Sequence, residues 1–169
     1  MVAYPDSQPL LSVAAARTRL LDRFSKQPVE HLKLTQSGGR VLAETIYAGY
    51  DLPPFSNSSM DGFAVRAADI EQARPEAPVH LRVVADIPAG TEIEQIVRSG
   101  EAIRIMTGAP LPSGADTVVP VENTDFNERS AGTLAPEAVA VYRPEKVGEN
   151  TRPRGEDVRA GEAVLHAGS

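Results

Sequence analysis

Glycine and proline cut this chain into short stretches, with 13 Gly and 14 Pro spread over 169 residues and no Trp. Proline fixes one backbone angle and removes a hydrogen-bond donor, while glycine favours turns, so the mixture points to short strands joined by closely specified turns rather than to a helical bundle. The expected fold class is α+β, mainly β. Apolar residues at 41% and charged residues at 24% go with a chain that folds rather than one that stays disordered.

Residues 12–24 place Val13, Ala16, Leu20, Leu21 and Phe24 at three- and four-residue steps, with Arg17, Arg19, Asp22 and Arg23 between them. That is the period of an N-terminal amphipathic helix. Ser12 suits its N-cap, and Leu11 stands where it can staple against Ala16. A shorter helical or turn segment is expected over residues 32–39, closed by Gly38 and Gly39. RVLAETIY at 40–47 reads as a strand. DLPPFSNSSM at 51–60 is so dense in Pro, Ser and Asn that it reads as a shaped loop, outside any regular ladder or helix. At 79–87, Val79, Leu81, Val83, Ala85 and Ile87 alternate with His80, Arg82 and Asp86, which predicts a strand with one apolar face and one polar face. Further strands are expected at 102–106, 117–121 and 138–142, and 147–165 reads as a turn-rich β ribbon.

Several chemistries are excluded. Without cysteine there is no disulfide, thiolate zinc site or cysteine nucleophile. A formal charge of −6 disfavours nucleic acid and anionic membranes as partners. No apolar run approaches the roughly 20 residues of a membrane span, and the opening MVAYPDSQPL lacks the layout of a signal peptide, so a cytoplasmic location is expected. GxxxxGK[ST], GxGxxG and HExxH are missing, and His31, His80 and His166 are scattered without ligand spacing, so no metal site is assigned within the chain. Lys26, Lys33 and Lys146 are its only lysines, a short supply of compact cations for an oxyanion site.

Four polar, turn-rich stretches remain: 53–65, 87–90, 104–122 and 148–157. Loops at strand ends are where scaffolds usually present functional groups. In Ser58-Ser59-Met60-Asp61-Gly62 the Asp61 carboxylate can orient a metal-bound water or a ligand, though Asp-Gly is also a common turn dipeptide. Thr107-Gly108-Ala109-Pro110 offers a hydroxyl and backbone N–H groups suited to a small anion nest, or else a strand exit with a Gly turn. Arg152 and Arg154 flank Pro153 and can bind phosphate or carboxylate, or pair with Glu149 or Glu156. Asp157 can orient a metal or substrate, or be a solvated carboxylate.

In this order, GRVLAE (39–44), LPPFSNSSMDGFAVRAAD (52–69), IPAG (87–90), RIMTGAPLPSGADTVVPVE (104–122) and GENTRPRGEDVRAGE (148–162) resemble the N-terminal region of the MoeA family of molybdopterin molybdenumtransferases, which includes the E domain of gephyrin. Ser56 departs from the pattern, since the family often carries an acidic residue there. The resemblance implies a transferase that takes adenylylated molybdopterin and molybdate, with a divalent metal such as Mg²⁺, and yields molybdenum cofactor and AMP without a permanently bound prosthetic group. It implies a homodimer whose active site lies between the second domain of one subunit and the third domain of its partner. By that layout, residues 1–46 and 160–169 form a discontinuous first domain and 47–159 an inserted β-rich second domain, while the cofactor-binding domain and C-terminal barrel are not matched. Carried over by position, Asp61, Thr107 and Asp157 are the catalytic candidates and Ser59, Gly108, Arg152 and Arg154 the substrate-binding candidates. Metal ligands and the missing lysines would come mainly from the unmatched domains. The competing readings are a non-catalytic dimerisation or partner-binding scaffold and a small sugar- or peptide-binding module.

Overall fold

The computed structural model describes residues 11–88, 90–91, 94–126 and 133–169. The opening ten residues and Ala89 of IPAG, both used above, lie outside it. The chain divides into a smaller unit that ends at Ala43 and takes in Ala167–Ser169, and a larger one, Glu44–His166.

In the smaller unit, helix α1 (Val13–Leu21) begins where Ser12 leaves the extended region and its Oγ accepts the Ala15 N–H at 3.2 Å. It stops short of residue 24, because the Arg23 and Phe24 N–H groups turn to the carbonyls three residues back and tighten the last turn. Leu34–Gln36 make one 3₁₀ turn, with the Ser37 hydroxyl donating to Leu34 O at 2.7 Å. The strand expected over 40–47 shrinks to its last two residues. Leu42 instead exchanges backbone bonds with Gly168 and Ser169 at 2.9 Å each. Val13, Leu20, Leu21, Phe24, Leu34 and Val41 are all exposed.

The larger unit carries strands β1 (Ile46–Tyr47), β2 (Asn57–Ser58) and β3 (Gly62–Val65), the single-turn helix α2 (Ala67–Ile70), and strands β4 (Val79–Ile87), β5 (Glu101–Ile105), β6 (Thr117–Pro120), β7 (Ala138–Val141), β8 (Thr151–Arg152) and β9 (Ala163–Leu165). Five of them form one sheet in the order β6-β3-β5-β4-β7, antiparallel throughout except for the parallel pair β4 and β5. Alternation along each strand sends Phe63, Val65, Ala102, Val119, Val139 and Val141 to one core cluster and Ala64, Ile103, Ile105 and Val118 to the other, so the sheet is buried on both faces.

Two findings depart from the sequence reading. β3, a buried inner strand, was not expected, since its four residues follow directly on a turn motif. In β4 the register slips between Val83 and Ala85. A bulge reverses which face the later side chains take. Val79, Leu81 and Val83 therefore pack in the first cluster, while Ala85 and Ile87 pack in the second, in place of the single apolar face expected.

Beyond the bulge, Asp86 meets Arg104 of β5. Arg104 Nε donates to Asp86 Oδ1 at 2.9 Å, Nη2 reaches the other carboxylate oxygen, and Nη2 also donates to Thr133 O at 2.7 Å. The guanidinium lies 5.7 Å from the Phe126 ring centre, and that ring meets Phe63 edge to face. The Arg104 side chain is only 9% exposed and that of Asp86 34%. Removing the cation leaves a part-buried carboxylate without its partner, so Arg104→Ala should cost about 3 kcal/mol in urea unfolding.

The segment read as a loop also pairs. Asn57 and Ser58 lie antiparallel to Arg152 and Thr151, Leu52 bridges Val158, and β1 pairs β9. Proline does not prevent this, because Pro53 takes part as an acceptor only, its carbonyl receiving the Gly155 N–H at 2.9 Å. The ribbon expected over 147–165 is thus one side of an irregular antiparallel pairing with residues 46–58.

Candidate functional site

Strand directions bring the separate turns to one end of the sheet. β3 begins where β5 ends, β4 runs parallel to β5, and the end of β6 lies beside the start of β3. Asp61 stands just before β3, Thr107 two residues after β5, and Ile87 of IPAG accepts the Met106 N–H at 3.2 Å. β2 lies between the other two stretches. Its Ser58 N–H donates to Ala109 O at 3.0 Å and its carbonyl accepts from Gly108 N–H at 2.8 Å, while Asn57 and Ser58 face β8 on the other flank.

The centre of this junction is an exposed carboxylate–hydroxyl pair. Asp61 Oδ1 accepts both the Thr107 N–H and the Thr107 Oγ1 hydroxyl, each at 2.7 Å, across 46 residues of sequence. Two donors on one oxygen hold the carboxylate in a fixed orientation. The TGAP turn itself is a strand exit rather than an open nest. The N–H groups of Thr107, Gly108 and Ala109 go to Asp61, Ser58 O and Met106 O, so they are already spent on protein acceptors. Gly108, at φ +82°, has open space where a side chain would begin, which leaves the turn approachable.

Ser59 is half-buried, and its N–H donates to Asn150 O at 3.0 Å. Asn150 has φ 58°, and its Nδ2 donates to Val118 O at 2.9 Å, tying this turn to β6. Asp157 shares no hydrogen bond with Thr107 among the described residues. It pairs with Arg152, whose Nη2 lies 2.7 Å from Asp157 Oδ2 and whose Nε lies 3.3 Å from Glu156. Of the two acids named above for Arg152, Glu156 is the partner. These bonds, that to Glu156 first, raise the Arg152 pKa further. Arg154 pairs with Asp51 through Nε, and its N–H donates to Ser56 Oγ at 3.2 Å. Both guanidiniums thus already carry acidic partners.

Asp51 also accepts the Ala160 N–H at 2.8 Å, and that bond, followed by the one from Arg154, holds its carboxyl below the usual range. A depressed carboxylate pKa stabilises the fold in full above the unfolded value of about 4, and this contribution is lost as pH falls through the folded value. An NMR titration should show Asp51 titrating below the usual aspartate value, with Arg154→Ala moving it upward.

Sequence reading missed two residues that build the site, Ser58 and Asn150. For Asn150, an Asn directly after Gly-Glu in a turn-rich run was the available signal, because Asn tolerates the left-handed conformation. Nothing in the sequence marked Ser58 apart from its neighbours.

A buried mixed sheet thus carries the turn motifs to one end, with an Asp-Thr pair where they meet. The family model described as "MoeA N-terminal region (domain I and II)" matches residues 11–169, and the chain belongs to that family. It is 47% identical over 135 residues to molybdopterin molybdenumtransferase 2 of Mycobacterium tuberculosis, covering 80% of this chain and 31% of that protein. It is 38% identical over 162 residues to the molybdopterin molybdenumtransferase of Synechococcus elongatus, covering 94% of this chain and 38% of that one. Among solved structures, the molybdopterin biosynthesis MoeA protein of Pyrococcus horikoshii OT3 superposes with a TM-score of 0.71 at 38% identity, over 82% of this chain and 34% of that one. The chain thus spans about a third of the length of these relatives.

Proposed function

We propose that this chain is the N-terminal region of a molybdopterin molybdenumtransferase, in which Asp61 and Thr107 form one wall of the site where molybdate is inserted into adenylylated molybdopterin and AMP is released. The observation that carries the reading is the Asp61–Thr107 pair at the convergence of the family's turn motifs. A fixed carboxylate with a hydroxyl beside it suits a role in orienting substrate and water, because neither group has to reorganise as the reaction proceeds. Neither neutralises an oxyanion or a pyrophosphate. The cations for that task belong to other domains of the enzyme, since Arg152 and Arg154 already pair with acids. The isolated chain should therefore be inactive.

Among the described residues no three His, Asp or Glu side chains gather into a metal site. The Mg²⁺ that the family resemblance implies finds no ligand set in these residues, and its ligands are assigned to the unmatched domains. Asp157, held by Arg152, keeps the turn at 155–157 in shape and contributes to the site through that turn. The exposed Leu20 and Leu21 of α1 and the exposed Phe24 just beyond it support a homodimer, because exposed apolar side chains are commonly covered by a partner. The first domain is read as residues 1–46 with 160–169, and the enzyme as cytoplasmic. No helix among the described residues is long and apolar enough to cross a membrane.

The test is complementation. A molybdenum-cofactor-deficient strain lacking its own transferase should recover molybdoenzyme activity with the full-length protein and not with residues 1–169 alone. No recovery with the full-length protein overturns the assignment.

A further inference from the structure

We infer that Ser58 is the positioning residue that sets the Asp61–Thr107 pair, an inference that rests on the function proposed above. Ser58 is 1% exposed. Its Oγ accepts the Met60 N–H at 3.2 Å and donates to the Met60 carbonyl, so one hydroxyl uses its donor and an acceptor site on the two backbone groups of the same residue. The Met60 carbonyl belongs to the peptide unit that carries the Asp61 N–H. The hydroxyl therefore fixes the plane from which the Asp61 side chain departs.

The same residue grips the other half of the pair. Its carbonyl takes the Gly108 N–H at 2.8 Å and its N–H reaches Ala109 O at 3.0 Å, on the residues that follow Thr107. Asp61 is thus held through the Ser58 side chain and Thr107 through the Ser58 backbone. Further restraints act on single members of the junction. Ser59 N–H is tied to Asn150 O, and Asp61 O accepts the Val121 N–H at 3.1 Å, which anchors the far side of the aspartate. Ser58 is the residue through which the near sides of the two loops share one reference point. Without its hydroxyl, Ser59 and Met60 regain rotational freedom, and the carboxylate samples positions away from the Thr107 donors.

The test uses the full-length protein with Ser58→Ala, Ser58→Cys and Ser58→Thr. Loss of the hydroxyl in Ser58→Ala should lower kcat about 10–30-fold with KM changed less than about twofold, because small misplacements of a reacting group act on the chemical step. Ser58→Thr, which keeps the hydroxyl, should recover most of the loss. In an Asp61→Ala background the Ser58→Ala change should cost less than about twofold, because coupled residues are not additive. An equal loss in both backgrounds assigns Ser58 to general stability and overturns the inference.

A second readout does not depend on turnover. In NMR, the Thr107 amide resonance should follow the ionisation of Asp61 in the wild type and lose that dependence in Ser58→Ala. If no variant, wild type included, turns over substrate but the Thr107 amide behaves as stated, the functional proposal fails and the positioning role stands. An amide that still follows Asp61 in Ser58→Ala overturns the inference. Should Ser58→Ala fail to fold, Ser58→Cys, with its weak thiol donor, must show the same loss of kcat and of the amide response. Failure of both to fold overturns the inference, because it would make the hydroxyl a requirement for the fold.

Discussion

Asp61→Ala in the full-length enzyme is expected to lower the rate of cofactor formation by about 100- to 1,000-fold, the usual loss when a preorganised polar group is removed from a reacting centre. Stability should hardly change. Asp61 is exposed, and so is Thr107, so water replaces the carboxylate as partner for the released N–H and hydroxyl. Exposed substitutions away from the core usually fall within about 0.5 kcal/mol, which in a domain of this size is a melting shift of about 2 °C. Thr107→Val should give a smaller rate loss, about 10-fold, because it keeps the backbone N–H to Asp61 and removes only the hydroxyl. Rates are read as AMP release, and stability by calorimetry on the same preparations.

One residue further on the expected effect is reversed in kind. Gly62→Ala should damage the fold itself, because a β-carbon there would lie 2.1 Å from Val119 O and 2.9 Å from the Val119 carbonyl carbon. Both contacts are to the backbone of β6, and Gly62 is paired with Pro120 on one side and Ile105 on the other. No flexible side chain can give way, so an inner strand or its neighbour must move. The cost should reach about 4 kcal/mol, at the upper end of single substitutions, with a fall in melting temperature of about 10 °C. Gly108→Ala is the control. Its φ of +82° strains any side chain, yet nothing lies within 4 Å of the added carbon, so the loss should be about 1–2 kcal/mol. Melting curves that rank the two the other way would contradict the account of the β3–β6 contact.

Much of the sheet was legible because the signal that forms it is local. Val79 to Ile87 alternate and form β4, and the strands expected at 102–106, 117–121 and 138–142 appear within a residue of their ends. What escaped was set by partners distant in sequence. β3 is only Gly62–Val65, and its burial comes from β5 and β6, which lie some forty to sixty residues further along the chain. The bulge in β4 lies in its pairing with β5, and alternating residues give no sign of it. DLPPFSNSSM pairs on both flanks, with Pro53 accepting without needing to donate, although its composition reads as a loop outside any ladder.

The site was legible in part and for a different reason. Asp61 and Thr107 were named through the resemblance, each in a motif that by itself reads as an ordinary turn. Their bond joins residues 46 apart, and only the antiparallel start of β3 beside the end of β5 brings them together. In the sequence, Arg152 and Arg154 read either as anion-binding cations on a restrained segment or as partners of Glu149 or Glu156. In the fold, residues 51, 156 and 157 supply their acidic partners. Ser58 was one serine among several until its burial and its two bonds to Met60 were seen.

In the proposed function the Asp61 carboxylate, held by Thr107, works in molybdate-dependent turnover of adenylylated molybdopterin. Asp61→Asn tests it most directly, since it keeps shape and an accepting oxygen and removes only the charge. Wild-type full-length protein should release AMP only when molybdate is present, and Asp61→Asn should release it at least about 100-fold more slowly at an unchanged melting temperature. AMP release at the wild-type rate by Asp61→Asn, or release by the wild type without molybdate at the same rate as with it, would contradict the claim.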